Sequence, residues 1–189
     1  MATITTIEEQ CKLAYETTTE IGNATVEKRN QALELMKEKI QSNTEIIVEK
    51  NKIDLEYGKE NGLSTALLDR LTLTESRLQG IVDSLESIKT LPDPLDKIMD
   101  SWPLENGLTI EKVSVPFGAI GIIYEARPNV TADAIGLCIK SGNAVVLRGS
   151  ASAYNSNKIL SDLLREAAVE VGLPGNSIQL LEDVSREGV

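Results

Sequence analysis

Histidine is absent from the 189 residues, and cysteine occurs only twice. The lack of histidine excludes the commonest general base, the nucleophiles that rely on a neighbouring imidazole, and every metal site built on that ring. The two cysteines, Cys11 and Cys138, are too few for a disulfide scaffold and are typical of a reducing, cytoplasmic compartment. We therefore expect reduced thiols and no metal site.

Positive charge is also scarce, because 19 Lys and Arg residues stand against 29 Asp and Glu residues, a net charge of −10. This balance argues against nucleic acid or an anionic membrane as the main partner. No apolar run reaches the length that spans a bilayer, and the first ten residues lack the basic and apolar regions of a signal peptide. We expect a cytoplasmic protein whose partner is a small molecule.

The first ninety residues are predicted to be helical. Thr6 and Glu9 have the spacing of a capping box. The helix that follows has an apolar face and ends at Gly22, so we expect Cys11 on that face to be a small core residue. Residues 54–62 form a polar end to a later helix. The most regular amphipathic pattern begins after Thr74 and consists of Leu78, Ile81, Val82, Leu85 and Ile88.

A boundary follows at residues 91–94, where two prolines in LPDP end the helical part. Beyond it, alternating residues around the turn signal at 105–107 predict a β-hairpin between residues 98 and 115. The pattern is typical both of an arm that pairs with another subunit and of a surface ribbon, and it does not separate the two.

The remaining sequence alternates strand and helix. Residues 118–123 and 144–148 are short apolar strands on either side of a buried helix at 131–139, and the first strand lacks alternation, which predicts cover on both faces. A helix over 153–171 and a strand over 177–182 come next. This order predicts the first half of a doubly wound, Rossmann-type parallel sheet. The start of a further helix at 183–189 favours a chain that is part of a longer protein.

Two strand ends carry the groups that can hold a charged ligand, since ligands of parallel sheets lie beyond the carboxyl ends of the strands. Arg148 offers a guanidinium fork for a phosphate, Ser150 and Ser152 add hydroxyls, and the next helix has an N-terminus that suits an anion. One interpretation is a site for the ribose or 2′-phosphate of a dinucleotide. The other is a solvated arginine followed by a serine cap.

The other strand end carries Asn129, which directly follows a proline. Its side-chain amide can donate to a developing oxyanion, or it can cap the helix that starts near Thr131. Glu125 and Arg127 lie in the same turn and either pair with each other or leave Arg127 to meet an anionic substrate. Cys138 is not expected to be a nucleophile, because it lies within a buried helix and burial raises the pKa of a thiol.

The strings YEARPNVT at 124–131 and KSGNAVVLRG at 140–149 closely resemble the γ-glutamyl phosphate reductase (glutamate-5-semialdehyde dehydrogenase) family of the aldehyde dehydrogenase superfamily. The resemblance extends to NGLS at 61–64, LDRL at 68–71 and LPDP at 91–94. It covers the whole chain but only the N-terminal part of the longer family protein. It implies an aldehyde-dehydrogenase-like α/β fold with an incomplete Rossmann-type sheet.

The resemblance also implies an activity, the NADPH-dependent reduction of γ-glutamyl phosphate to glutamate-5-semialdehyde with release of phosphate, in proline biosynthesis. In the family a cysteine thiolate displaces phosphate to give a thioester, which then accepts a hydride. That cysteine belongs to a catalytic domain missing from these residues, so we expect the 189-residue chain alone to be inactive. A glutamate kinase is an implied partner, and the full-length protein is implied to be a homo-oligomer.

Site residues follow from the resemblance one by one. Asn129 matches the superfamily asparagine that stabilises the oxyanion. Arg148, with Gly149 and Ser150, matches the strand end that holds the adenosine ribose, and an arginine there suits the 2′-phosphate of NADP(H). The strand end that faces the nicotinamide ribose is matched by the backbone of Ile123, Tyr124, Glu125 and Ala126.

The predicted organisation has three parts: residues 1–91 as the helical part of a cofactor-binding domain, 92–114 as a hairpin or oligomerisation arm, and 115–189 as the first part of the dinucleotide-binding sheet. Alternatives in the same class are another aldehyde or acyl-phosphate reductase and the reductase half of a bifunctional pyrroline-carboxylate synthase. An alternative of a different class is a non-catalytic nucleotide-binding or assembly module.

Overall fold

A computed structural model describes residues 6–184 and contains a layer of helices around a small parallel sheet, with a separate two-stranded hairpin. The predicted α/β class is confirmed. Within the described range the helices are α1 (Ile7–Glu16), α2 (Thr18–Gly22), α3 (Val26–Ser42), α4 (Thr44–Glu60), α5 (Thr65–Leu71), α6 (Glu75–Thr90), α7 (Pro128–Lys140) and α8 (Tyr154–Glu170). The strands are β1 (Ile98–Pro103), β2 (Thr109–Val113), β3 (Ala119–Ile123), β4 (Ala144–Arg148) and β5 (Ile178–Leu180).

The predicted capping box opens α1. The Glu9 backbone N–H donates to the Thr6 hydroxyl over 3.2 Å, and the Thr6 N–H donates to the Glu9 carboxylate over 2.8 Å. Thr17 then interrupts the helix, so the single helix predicted to reach Gly22 is two helices.

The expectation that Cys11 is a core residue is wrong, because Cys11 is exposed. The side of α1 that packs against the sheet carries Gln10 and Ala14 instead. Gln10 is buried because its amide donates to the Leu180 carbonyl over 2.9 Å at the end of β5. Position 11 lies about 100° around the helix from position 10, so the buried contact of Gln10 turns Cys11 away from the core.

The amphipathic pattern of α6 is confirmed, and all five of its apolar residues are buried. They pack with α7, in which nine of thirteen residues are buried. Gly136 of α7 makes this contact close, since a Cβ there would lie 2.8 Å from a methyl group of Leu85. Gly142 ends α7 in the left-handed region, with φ of +67°. The helix after the first strand is therefore held tightly against α6.

The three sheet strands are parallel, in the order β3-β4-β5. β4 is buried, but β3 pairs only with β4 among the described residues and its residues alternate between exposed and half-buried. The prediction that this strand is covered on both faces is therefore wrong, and Ile123 is 62% exposed. The open face of β3 lies in a largely apolar groove of about 460 Å³ that Ile7 and Tyr15 of α1 complete.

The predicted hairpin is confirmed. β1 and β2 are antiparallel, with Trp102 opposite Ile110. The turn between them contains Gly107 at φ +86°, a conformation that favours glycine. All residues of both strands are exposed, and whether the hairpin is an arm or a ribbon stays a prediction.

A buried arginine holds the segment that leads into the hairpin. Arg29 of α3 donates to both carboxylate oxygens of Asp93 over 3.0 and 2.8 Å, and to the carbonyl of Lys140 at the end of α7. The predicted boundary at 91–94 is thus tied to the helical layer.

No helix within residues 6–184 is long and apolar enough to cross a membrane. The helix start predicted over 183–189 lies largely outside the described residues.

Candidate functional site

The two strand ends singled out by the sequence lie side by side. In the register of the parallel pair β3–β4, Ile123 is opposite Arg148. One residue later the Tyr124 N–H donates to the Arg148 carbonyl over 3.1 Å, which extends the pairing past the strands. The segments 123–126 and 148–152 therefore meet at one edge of the sheet, where parallel sheets bind their ligands.

A buried chain of hydrogen bonds joins these strand ends to two helices. The Tyr124 hydroxyl lies 2.7 Å from the Thr131 hydroxyl of α7, which donates to the Asn157 side-chain oxygen of α8 over 3.0 Å. Burial raises the pKa of the Tyr124 hydroxyl to about 12. Because Thr131 uses its only proton on Asn157, Tyr124 is the donor in the first bond.

Gly149 lies directly on this network. A Cβ there would come within 2.2 Å of the Asn157 amide nitrogen and 3.2 Å of the Tyr124 ring. Only glycine lets the backbone after β4 pass so close to the start of α8. The turn that follows Arg148 is thereby fixed against the segment that follows β3.

The N-terminus of α8 does not offer the anion site that the sequence predicts. Asp54 of α4 accepts the backbone N–H groups of Asn155 and Ser156 over 3.1 and 2.7 Å. The same carboxylate accepts the Asn155 amide over 2.9 Å and the Ser156 hydroxyl over 2.6 Å. A buried carboxylate from another helix thus caps α8 and takes the donors that a phosphate needs.

Asn51 supports this cap from one turn earlier in α4. Its amide donates to the Ser156 hydroxyl over 2.9 Å and to the Leu71 carbonyl over 2.8 Å, and its oxygen accepts the Leu73 N–H over 2.8 Å. Neither residue was predicted, because Asp54 begins the polar stretch 54–62 and Asn51 lies just before it. The signal was available, since Ile47, Asn51, Asp54 and Gly58 share the buried face of α4.

The turn after β4 supplies the remaining groups for a ribose or phosphate. A guanidinium nitrogen of half-buried Arg148 donates to the Val184 carbonyl over 2.7 Å, which orients the side chain. The Ser150 hydroxyl accepts the Ser152 N–H over 3.3 Å and caps a short 3₁₀ turn, Ala151–Ala153. Ser152 therefore lies in this turn rather than in the first turn of α8.

Asn129 lies in the first turn of α7, which begins at Pro128, three residues before the predicted start. The N-cap is Arg127, so the capping role considered for Asn129 does not apply. The side chain is exposed, and its amide is 3.4 Å from the Asp133 carboxylate, a long contact. Asn129 can therefore donate to a ligand.

Asn129 opens onto a groove of about 610 Å³ between α6 and the first turns of α7, here called the charged groove. Arg127 and Asp133 line it as well. Arg148 instead lines the apolar groove on the open face of β3. The two strand ends are neighbours, but these two side chains line separate cavities.

Neither cysteine is placed as a nucleophile for this site. Cys138 is buried in α7, and burial raises the pKa of its thiol to about 11. Cys11 is exposed on α1 and lines the apolar groove. Within residues 6–184 no group of three histidine, cysteine, aspartate or glutamate side chains could hold a metal ion.

The two thiols are expected to react at very different rates. At pH 8 a chromogenic disulfide reagent should modify Cys11 quickly, whereas Cys138 should react only after denaturation, because the thiolate is the reactive form. A titration of the native protein tests this, with Cys11→Ser as the control that removes the fast phase. Two fast thiols in the native chain would contradict the burial of Cys138.

The arrangement of helices around the small parallel sheet is an aldehyde-dehydrogenase-like fold. A solved methylmalonate-semialdehyde dehydrogenase from Oceanimonas doudoroffii matches the whole chain with a TM-score of 0.72 at 21% identity, over 35% of its own length. This match shows the fold alone. No protein-family model matches the chain.

A more specific similarity is to γ-glutamyl phosphate reductases. The enzyme of that name from Anoxybacillus flavithermus is 45% identical over 178 residues, which are 94% of this chain and 43% of the relative. The solved structure of γ-glutamyl phosphate reductase from Thermotoga maritima matches 96% of the chain and 44% of its own length, with a TM-score of 0.94 at 39% identity. The resemblance that the motifs indicate is confirmed, and the chain spans about two fifths of the length of these relatives.

Proposed function

We propose that the chain is the cofactor-binding part of a γ-glutamyl phosphate reductase, which reduces γ-glutamyl phosphate to glutamate-5-semialdehyde and releases phosphate. The observation that carries the proposal is the junction of two strand ends, one leading into Asn129 and the other ending at Arg148, in a fold that matches the Thermotoga maritima reductase. Bound NADPH supplies a hydride in this reaction.

The groups at the strand ends suit NADP(H). Arg148 provides a guanidinium for the 2′-phosphate, and the hydroxyls of Ser150 and Ser152 suit a ribose. Because Asp54 occupies the first amides of α8, the charge of the 2′-phosphate has to be met by Arg148 and the 149–153 turn. The backbone of residues 123–126 faces the nicotinamide ribose on this proposal.

Replacing Arg148 by alanine is expected to weaken NADPH binding about tenfold to a hundredfold, the effect of losing a charged hydrogen bond, and to change NADH binding little. Fluorescence titration with each nucleotide measures the two dissociation constants. Arg165→Ala removes another arginine, one that pairs with Asp162 on α8, and serves as the control. Equal losses for both nucleotides would show that Arg148 does not bind the 2′-phosphate.

Asn129 is proposed to donate its side-chain amide to the oxygen that becomes negative when the acyl phosphate is attacked. Phosphate is a good leaving group, so this step depends mainly on positioning and on stabilising that charge. The attacking thiol is assigned to sequence that corresponds to the rest of the relatives' length, since neither Cys11 nor Cys138 suits the role. A glutamate kinase partner, homo-oligomerisation and a cytoplasmic location stay predictions.

Two proteins test the function together. The protein expressed from its full natural reading frame should oxidise one NADPH for each phosphate released from γ-glutamyl phosphate. The 189-residue chain alone should oxidise none, because it has no suitable thiol. Activity of the 189-residue chain would overturn the assignment of the thiol, and an inactive full product that still folds would overturn the function.

A further inference from the structure

We propose that the charged groove binds the amino-acid end of the substrate, with Asp133 holding its α-ammonium group and Arg127 its α-carboxylate. The inference rests on the proposed function and deepens it, because it assigns how the enzyme selects an α-amino acid derivative. Asn129 marks the reacting end of the groove, and the groove volume of about 610 Å³ leaves room for a small acyl group beside it.

The Asp133 carboxylate is suited to bind a cation. Its half-buried carboxylate accepts the Ser84 hydroxyl of α6 over 2.6 Å and the long contact from Asn129, which together orient it across the groove. Among residues 6–184 no lysine or arginine forms an ion pair with it. A partly buried carboxylate with hydrogen bonds but no counter-charge favours an ammonium group.

Arg127 is the matching cation. Three arginines line the groove, but Arg77 donates to the Asp69 carboxylate over 2.8 Å and to the Thr72 carbonyl over 2.9 Å, and Arg70 lies 3.9 Å from the Glu125 carboxylate. No ion pair of the Arg127 guanidinium occurs within the part of the chain that the structure describes. Its planar fork suits a carboxylate.

The spacing of these groups fits the substrate. Asp133 follows Asn129 by four residues, so their Cα atoms lie about one helical turn, roughly 6 Å, apart along α7, and the Asn129 amide nitrogen is 3.4 Å from the Asp133 carboxylate. Three carbon–carbon bonds of about 1.5 Å separate the reacting carbonyl of a γ-glutamyl group from its α-carbon. The α-ammonium group therefore reaches Asp133 when the carbonyl lies at Asn129, and Arg127 lines the same groove for the α-carboxylate.

The test uses the reverse reaction of the full natural product, in which aldehyde, phosphate and NADP⁺ give acyl phosphate, NADPH and a proton. Glutamate-5-semialdehyde is compared with glutarate semialdehyde, which lacks the α-ammonium group, and with 4-aminobutyraldehyde, which lacks the α-carboxylate. Asp133→Asn is expected to lower the kcat/KM preference for glutamate-5-semialdehyde over glutarate semialdehyde about tenfold to a hundredfold. Asp83→Asn makes the same charge change on exposed α6 surface outside the groove, and should leave the preference unchanged.

Arg127→Gln should lower the preference over 4-aminobutyraldehyde by a similar factor while the KM for phosphate stays constant. A rise in the phosphate KM with unchanged aldehyde preference would instead place phosphate at Arg127 and overturn that half of the inference. Unchanged preferences in both variants of an active enzyme overturn the inference and leave the proposed function intact. An inactive wild-type enzyme overturns both.

A groove-filling variant gives an independent test. Gly80 of α6 lines the groove, and nothing lies within 4 Å of where its Cβ would be, so a large side chain can enter without disturbing the core. Gly80→Phe is expected to raise the KM for glutamate-5-semialdehyde at least tenfold with NADPH affinity unchanged. Gln79→Phe, on the neighbouring exposed position outside the groove, is the control. An unchanged KM in Gly80→Phe would exclude the groove as the substrate site.

Discussion

Replacing Asp54 by alanine is expected to lower the free energy of unfolding by about 3–5 kcal/mol. The substitution removes a buried carboxylate that accepts four hydrogen bonds at the start of α8, including two from backbone N–H groups. Those donors would stay buried without a partner. Since domains of this kind are stable by about 5–15 kcal/mol, the variant should be close to unfolding.

Urea denaturation followed by circular dichroism measures this loss. Asp162→Ala is the matched control on the same helix, because Asp162 forms only partly exposed contacts with Lys158 and Arg165 and such pairs contribute little. The control should change the free energy of unfolding by less than about 1 kcal/mol. A loss that small for Asp54→Ala would show that the carboxylate does not cap α8.

Replacing Asn129 by alanine is expected to lower kcat about 10²-fold to 10³-fold in the full natural product, the usual cost of removing one oxyanion donor. NADPH affinity should stay within a factor of about two, because Asn129 lines the charged groove rather than the turn after β4. The rate of NADPH oxidation under saturating γ-glutamyl phosphate measures the effect. Stability should change little, since the side chain is exposed and makes only one long contact.

Asn61→Ala controls for loss of an amide elsewhere. Asn61 is exposed at the end of α4, and its side chain donates only to the Tyr57 carbonyl. The kcat of the Asn61→Ala variant should equal that of the unsubstituted enzyme. A kcat of Asn129→Ala within about threefold of that enzyme would remove the proposed oxyanion role, because one donor is worth far more.

Local pattern was enough to predict most elements. The apolar spacing of α6, the alternation and turn of the hairpin, and the strand–helix–strand order around α7 all show in patterns of residues that are near in sequence. Parallel pairing of β3 with β4 followed from the helix between them. The junction of residues 123–126 with 148–152 could therefore be predicted without a structure.

Tertiary packing decided what pattern could not. Cys11 lies on an apolar stripe, yet the polar Gln10 takes the buried position because the end of β5 offers it a carbonyl. Asp54 looks like part of a solvated helix end, yet it caps α8, which follows it by about one hundred residues in the chain. Whether a face of β3 is covered depends on which other elements pack on the sheet, and the apolar sequence of β3 does not show this.

Some residues of the candidate site could be predicted from local sequence patterns, and others depend on tertiary packing. Asn129, Arg127 and Arg148 were found from motifs, but the charged groove exists only because α6 packs beside α7. Asn157 was not predicted, since one asparagine in a helix gives no sign that it meets Thr131 and lies against Gly149. Residues proposed to contact the ligand could be predicted from a motif, whereas residues that position them through long-range contacts could not.

Hydrogen exchange of the full natural product with and without NADPH tests the central claim most directly, namely that the ends of β3 and β4 form one cofactor site. Saturating NADPH should slow amide exchange in both segments, residues 123–126 and 148–152, of the unsubstituted protein. In the Arg148→Ala variant the same NADPH concentration should slow exchange in these segments less. Protection confined to one of these segments, or found only in the charged groove, would contradict the account.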